Sequence, residues 1–350
     1  MPIEGLTTPV RENHRFDERS LERYLRDHMS GFCGPLTVSQ FLSGQSNPTF
    51  LLESSVGRFV MRKKPSGEIL QSAHQVEREY RIMTALASTD VPVPRTYLLC
   101  EDTSVIGTAF FVMDFVEGRI MTEPLLPSLT RDERAAVYDS MVHTMVRLHK
   151  VDFHAIGLGN YGRPQGYIAR QVARWTKQYR ASEIIPIPEM DKLIVWMESH
   201  IPKDDETTIA HGDFRLGNLI LQPKEPRVIA VLDWELSTLG HPLADLAWNC
   251  LGYHYPADLA DGFSFAGQDL KALGIPSEEQ YLAAYCRYAR RPDVKDFLFF
   301  VAFAFFRSAA IAQGIAMRAK IGTASAPDAA EHGDRAARGA HIGWTIAQKL

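Results

Sequence analysis

Between His211 and Asp233 the chain reads HGDFRLGNLILQPKEPRVIAVLD. Two short apolar runs, Leu219–Leu221 and Val228–Leu232, flank a Gln-Pro-Lys-Glu-Pro turn, and that pattern predicts a strand hairpin. A hairpin returns its two ends to one place. Asn218 stands just before the first strand and Asp233 just after the second, so their side chains are expected to converge, with Asp213 on the loop leading in. An amide oxygen and a carboxylate make a hard oxygen pair of the kind Mg²⁺ prefers. Asp213 is then free to orient a hydroxyl and accept its proton. Read singly, His211-Gly212-Asp213 is a turn whose Asp caps the next element, and Asp233-Trp234-Glu235 is a strand end with a surface carboxylate. Only the combination, at D-x-x-x-x-N spacing around an apolar hairpin, turns the reading toward chemistry.

The rest of the chain divides by pattern. Phe16, Leu21, Tyr24, Leu25 and Met29 share one face of a helix expected over 16–30. Residues 37–63 read as short strands around Ser43-Gly44-Gln45-Ser46-Asn47, with a Val56-Gly57 turn. A helix is predicted over 72–87, an extended connector at Val91-Pro92-Val93-Pro94, and an antiparallel strand pair at Thr96–Glu101 and Ala109–Phe115. Beyond Gly118 the pattern becomes helical, at 130–150, 165–181, 188–200, 241–252, 277–290 and 294–319. Residues 321–340, rich in Gly, Ala and Asp, read as a mobile surface loop. A chain of 350 residues exceeds the usual single compact domain. The expected organisation is a β-rich lobe over 1–116 and a helical lobe over 117–350.

Composition removes several function classes. The net charge is −4 and no polybasic run occurs, so nucleic acid is not an expected partner. None of Cys33, Cys100, Cys250 and Cys286 lies in a C-x-x-C pair or beside a His pair, which argues against a zinc site or a disulfide framework. The first twenty residues hold no apolar core segment, so no secretory signal is expected. The most apolar run, Phe297 to Phe306, stops at Arg307, and ten helical residues rise only about 15 Å, too little to cross a bilayer. No membrane partner and a cytoplasmic location are the expectation.

Asp213, Asn218 and Asp233 stand in the order and spacing of the phosphoryl-transfer template of the protein-kinase class. The chain resembles the aminoglycoside phosphotransferase and choline kinase group, and most nearly the phosphotransferase-like proteins associated with acyl-CoA dehydrogenases. The residues that carry the resemblance are Ser43 to Asn47, Val60-Met61-Arg62-Lys63-Lys64-Pro65, Glu77-Arg78-Glu79-Tyr80, His211 to Asn218, and VLDWELSTLGHPLADLAW from Val231 to Trp248. It runs from about residue 35 to the C-terminus.

The resemblance implies an α+β, protein-kinase-like, two-lobed fold, with a small antiparallel sheet in the N-lobe and a larger, mainly helical C-lobe. It implies ATP and Mg²⁺ as cofactors and a small-molecule hydroxyl acceptor. Asp213 is then the catalytic base, and Asn218 and Asp233 the metal ligands. Ser43, Gly44, Gln45, Ser46 and Asn47 form the loop over the phosphates, where small residues let backbone N–H groups approach an anion. Arg62 takes the place of the usual phosphate-binding Lys, and its fork suits phosphate oxygens. Glu79 is its ion-pair partner, Glu77 pointing elsewhere, and Lys64 shares the strand parity of Arg62. Asp114 and Val116 follow Met113 at the hinge and offer backbone groups to adenine. Asp245 braces the catalytic loop, His211 organises it, and Glu235 touches a second metal or the acceptor, or is solvated. Trp175, Tyr179, Trp234, Trp248, Tyr253 and Tyr255 line the acceptor pocket or belong to the core. The association with acyl-CoA dehydrogenases suggests a hydroxyacyl-CoA or related hydroxy acid as acceptor. The alternative is a kinase-like module that binds nucleotide or acyl-CoA without turnover.

Overall fold

The computed structural model describes residues 5–42, 47–65, 75–256, 264–322 and 332–350. The chain separates into two compact units, Met1–Gly118 with Ala230–Glu235, and Arg119–Ile229 with Leu236–Leu350. The Ala230–Glu235 segment is tied to the first unit by the Val231 N–H, which donates to the Pro92 carbonyl at 2.9 Å.

In the first unit, strands β1 (Thr7–Thr8), β2 (Thr37–Phe41), β3 (Thr49–Ser54), β4 (Gly57–Lys63), β5 (Thr96–Cys100) and β6 (Phe110–Asp114) form an antiparallel sheet in the order β1-β2-β3-β4-β6-β5. Helices α1 (Glu18–His28), α2 (Val76–Leu86) and the single turn α3 (Thr103–Ile106) accompany it. Asp17 starts α1 by accepting from the N–H groups of Arg19 and Ser20. Side chains alternate along a strand, so each strand serves two faces. Phe50, Leu52, Phe59, Met61, Phe110 and Val112 join Leu21 and Leu25 of α1 in one apolar cluster. The opposite parity carries Val60, Arg62 and Phe111. Toward that face comes α2, with Tyr80 edge-on to Phe111 and Glu79 reaching Arg62. The period of two thus sets Arg62 opposite the packed core, on the face where an ion pair can form.

The second unit holds α4 (Arg131–His149), α5 (Tyr167–Ser182), α6 (Pro188–Ser199), α7 (Pro242–Asn249), α8 (Leu270–Leu273), α9 (Glu278–Ala289), α10 (Phe297–Lys320) and α11 (His332–Ala347). Thr130 and Glu133 close a reciprocal cap at the start of α4. The expected hairpin is present as β8 (Leu219–Leu221) paired with β9 (Val228–Val231). A further pair was not expected. β7 (Thr208–Ala210) lies antiparallel to β10 (Thr238–Gly240), and it joins the entry of the His211 loop to the residues just before α7.

Two readings of the C-terminal region need correction. The helix expected over 294–319 is present, and its apolar stretch is not limited to the ten residues before Arg307. The helix continues to Lys320, 24 residues in all, long and apolar enough by length and composition to cross a bilayer. Its Phe and Ala side chains are nevertheless largely buried within the protein. The expected loop at 321–340 is helical from His332 onward, with 323–331 outside the described residues. Its small residues are a packing face rather than a flexible stretch. Ala336 and Ala340 are buried, and Gly339 lies against Ala309 of α10. A Cβ on Gly343 would come within 3.1 Å of both Leu193 Cδ1 and Phe305 Cβ. Gly343→Val is therefore expected to lower unfolding free energy by about 1–3 kcal/mol, the usual range for overpacking. Urea titration should show a lower midpoint with an unchanged slope.

Candidate active site

The candidate residues fall into two clusters, one in each unit. In the second unit, Ala210 ends β7 and the chain turns at Gly212, whose φ is +84°. A side chain at Gly212 would bring its Cβ to 2.7 Å from the Leu236 carbonyl oxygen, so only glycine fits. This turn presents Asp213. Its Oδ1 accepts from the Trp248 indole N–H at 2.8 Å. Its Oδ2 accepts from Asn218 Nδ2 at 2.8 Å and Arg215 Nε at 3.1 Å. Asn218 Nδ2 also donates to the Asp213 carbonyl at 2.9 Å, which fixes the amide and turns its Oδ1 away from Asp213.

The loop beneath is held from several sides. Asp245 on α7 is buried, and it accepts from the N–H of His211 at 2.6 Å and of Gly212 at 2.8 Å. His149 lies 3.4 Å from the same carboxylate and bonds Tyr285 through its other ring nitrogen. Burial opposes the Asp245 charge, yet His149, His211 and the Gly212 N–H together hold its pKa below the ordinary carboxylate value. His211 Nδ1 accepts from the Asp213 N–H at 3.2 Å, so the histidine shapes the loop. On α10, Arg307 donates from Nη2 to the Gly212 carbonyl, and its guanidinium carbon sits 4.4 Å from the centre of the Trp248 ring.

In the first unit, Arg62 is buried between two carboxylates. Its Nη1 lies 2.9 Å from Glu79 Oε2, and both terminal nitrogens reach Asp233 Oδ1 at 3.2 Å. Glu79 Oε1 accepts from Asn47 Nδ2 at 2.8 Å. Burial works against the Arg62 charge, but Glu79, Asp233 and Glu235 outweigh it and raise its pKa above the usual guanidinium value. Burial pushes the Glu79 carboxyl up to about 7, against the pull of Arg62. Asp233 holds a left-handed backbone conformation, φ +66°, which Asp tolerates better than most residues. Glu77 points away from Arg62, as expected. It pairs with Lys64, so Lys64 is engaged away from Arg62.

The raised Glu79 pKa carries a pH prediction. An unfolded chain releases this proton near 4.5, the folded chain near 7. Across that window the folded state binds the extra proton, so the Glu79 contribution to stability falls as pH rises and is level above the window. Glu79→Gln is thus expected to gain stability relative to wild type between about pH 5 and about pH 8, measured by urea unfolding at both.

The remaining candidates divide. Ser43, Gly44, Gln45 and Ser46 lie outside the described residues, while Asn47 is buried against Glu79. The Asp114 N–H donates to the Arg95 carbonyl and its carboxylate accepts from the Tyr97 hydroxyl. Val116 is half-buried just beyond β6. Of the aromatic residues, Tyr179 and Trp234 are core, and Trp234 donates to the Val231 carbonyl. Trp248, by contrast, holds Asp213. Trp175, expected in the pocket or the core, is buried, while Arg307 was given no role from sequence and nothing local to it signals one.

An amide oxygen and a carboxylate oxygen are each donors of the kind a hard divalent cation takes. Asn218 Oδ1 is left open by the amide's own bonds, and among the described residues Asp233 Oδ2 accepts no hydrogen bond. Asp204, Glu206 and His241 also approach one another closely enough to hold an ion. There, however, His241 Nδ1 accepts from the Leu243 N–H, which leaves the ring proton on Nε2 and no lone pair on that nitrogen for a metal.

The fold is protein-kinase-like. Choline kinase from Cryptosporidium parvum superposes with a TM-score of 0.65 at 12% identity, covering 95% of this chain and 96% of its own. A Ralstonia eutropha protein assigned to the aminoglycoside phosphotransferases superposes at 0.87 with 49% identity, covering 96% of this chain and 99% of its own. The phosphotransferase enzyme family matches residues 37–291, and the chain belongs to that family. Mouse acyl-CoA dehydrogenase family member 10 is 45% identical over 344 residues, which is 98% of this chain but 32% of that protein. The chain therefore spans only about a third of that relative.

Proposed function

We propose that the protein is an ATP- and Mg²⁺-dependent phosphotransferase that phosphorylates a hydroxyl of a small molecule, with hydroxyacyl-CoAs and related hydroxy acids as the first acceptors to test. The observation that carries this reading is the Asp213 carboxylate, half-buried and oriented by Trp248, Asn218 and Arg215 on a loop braced by Asp245. Phosphoryl transfer asks little covalent chemistry of a protein. Positioning and charge neutralisation do most of the work.

In this reading Asp213 aligns the acceptor hydroxyl and takes its proton as the bond to phosphorus forms. Asn218 and Asp233 would be the residues that hold the metal. Mg²⁺, when bound, neutralises phosphate oxygens. Arg62, steadied by Glu79, offers its guanidinium fork to the same class of oxygens. The acyl-CoA connection is supported by the names of relatives that carry more than this chain's length.

A second reading, nucleotide or acyl-CoA binding without turnover, is favoured by one observation. Arg62 contacts Asp233 Oδ1 directly, so the phosphate-binding cation and a metal ligand neutralise each other. An ADP-release screen over small hydroxylated metabolites, hydroxyacyl-CoAs included, separates the two. Mg²⁺-dependent ADP release that needs an acceptor supports the kinase. Nucleotide binding with no release for any acceptor supports the binding module.

A further inference from the structure

We propose that Arg307 and Arg174 form an anion-binding subsite beside Asp213, and that the phosphoryl acceptor carries a carboxylate or phosphate group that docks there. The inference rests on the phosphotransferase reading and adds the charge of its substrate.

Arg307 is 6% exposed. Its Nη2 donates to the Gly212 carbonyl, and its Nε finds no acceptor. Among the described residues no carboxylate lies within ion-pair distance of it. What surrounds the guanidinium is aromatic, with the Trp248 ring at 4.4 Å and the Trp175 ring at 5.5 Å. A buried charge without a counter-ion is unfavourable, and ring quadrupoles offset only part of that.

A second cation shares the same indole. Arg174 lies 5.3 Å from the centre of Trp175 and has no ion-pair partner among the described residues. Burial, then the charge of Arg307, hold the Arg174 pKa below the ordinary guanidinium value. Asp245 is the nearby acid, and its oxygens already receive the N–H groups of His211 and Gly212. Two guanidiniums thus meet at one ring, and among the described residues neither has a carboxylate within ion-pair distance.

Position supplies the connection to the reaction. Trp248 touches Arg307 with its ring face and Asp213 with its N–H. Trp248 thus stands between Arg307 and the carboxylate that orients the hydroxyl, and Trp175 connects Arg307 to Arg174. A cationic acceptor would meet like charge there.

The test compares a hydroxy acid with its amide, and its CoA thioester with its pantetheine thioester, in wild type, Arg174→Ala and Arg174→Lys. Arg174 is exposed at the surface, so these variants should fold. Two readouts are taken, ADP release and indole fluorescence of the nucleotide-free protein during titration. Charge-assisted bonds of this kind predict a preference of about tenfold or more for the charged member of a pair, lost in Arg174→Ala and partly restored in Arg174→Lys. If the acid leads, the bound group is the carboxylate. If the CoA thioester leads over the pantetheine thioester, it is the CoA phosphate. Neutral acceptors used as well as charged ones, or an Arg174→Ala loss equal for both, overturns the subsite and leaves the kinase standing. Fluorescence-detected anion binding with no turnover of any acceptor keeps the subsite and rejects the kinase.

Discussion

Asp213→Asn is expected to lower kcat by about 10²–10⁴-fold, the range for losing a positioned general base, with little change in KM for ATP. The carboxylate is the acceptor for three donors, Trp248 Nε1, Asn218 Nδ2 and Arg215 Nε. An amide has one acceptor oxygen, so at least one donor must face an NH₂ group and the side chain loses its fixed direction. The lost alignment adds to the lost proton acceptor. ATP affinity should be spared because the Arg62–Glu79 pair belongs to the other cluster. Steady-state ADP release against both substrates, with circular dichroism to confirm folding, reads the split. A variant that kept wild-type kcat with the true acceptor would remove Asp213 from the chemistry.

Arg62→Met is expected to act on stability and turnover together. Glu79 is fully buried, and Arg62 is the cation that balances it. Without the guanidinium, Glu79 keeps an uncompensated buried charge or takes up a proton, a loss of up to about 3–5 kcal/mol at a pH where it is ionised. Adding Glu79→Gln removes the stranded carboxylate, and the amide can still receive the Asn47 N–H that Glu79 accepts. The double variant should therefore regain most of the stability in urea titration yet stay without ATP turnover, because the guanidinium is gone. Recovery of turnover in the double variant would mean that Arg62 serves the fold alone. The two readouts form a double-mutant cycle in which structure and chemistry separate.

Why Arg62 could be found from sequence and Trp248 only from coordinates is a matter of range. Strand parity is local, and it placed Val60 and Arg62 on one face without any knowledge of partners. The step to Glu79 needed only one more element, the next helix. The D-x-x-x-x-N spacing is likewise short, and Asn218 does reach back to Asp213. Trp248 stands 35 residues from Asp213, and its aromatic character suited core or pocket equally. Residues 332–347 misled for a different reason. Glycine and alanine are poor in side-chain signal, and they read as a loop until a facing helix gives their smallness a use.

Chain-local information was thus enough for the sheet and most of the helices, because periods of two and 3.6 follow from backbone geometry alone, while the phosphotransferase motif was legible through its resemblance to a known family. Packing had to supply the orientation of Asp213, the burial of Arg62 between two acids, and the pairing of Arg307 with Gly212 across 95 residues. Those contacts depend on which helix faces which. That choice is made by the whole buried surface at once, and no short stretch of sequence encodes it.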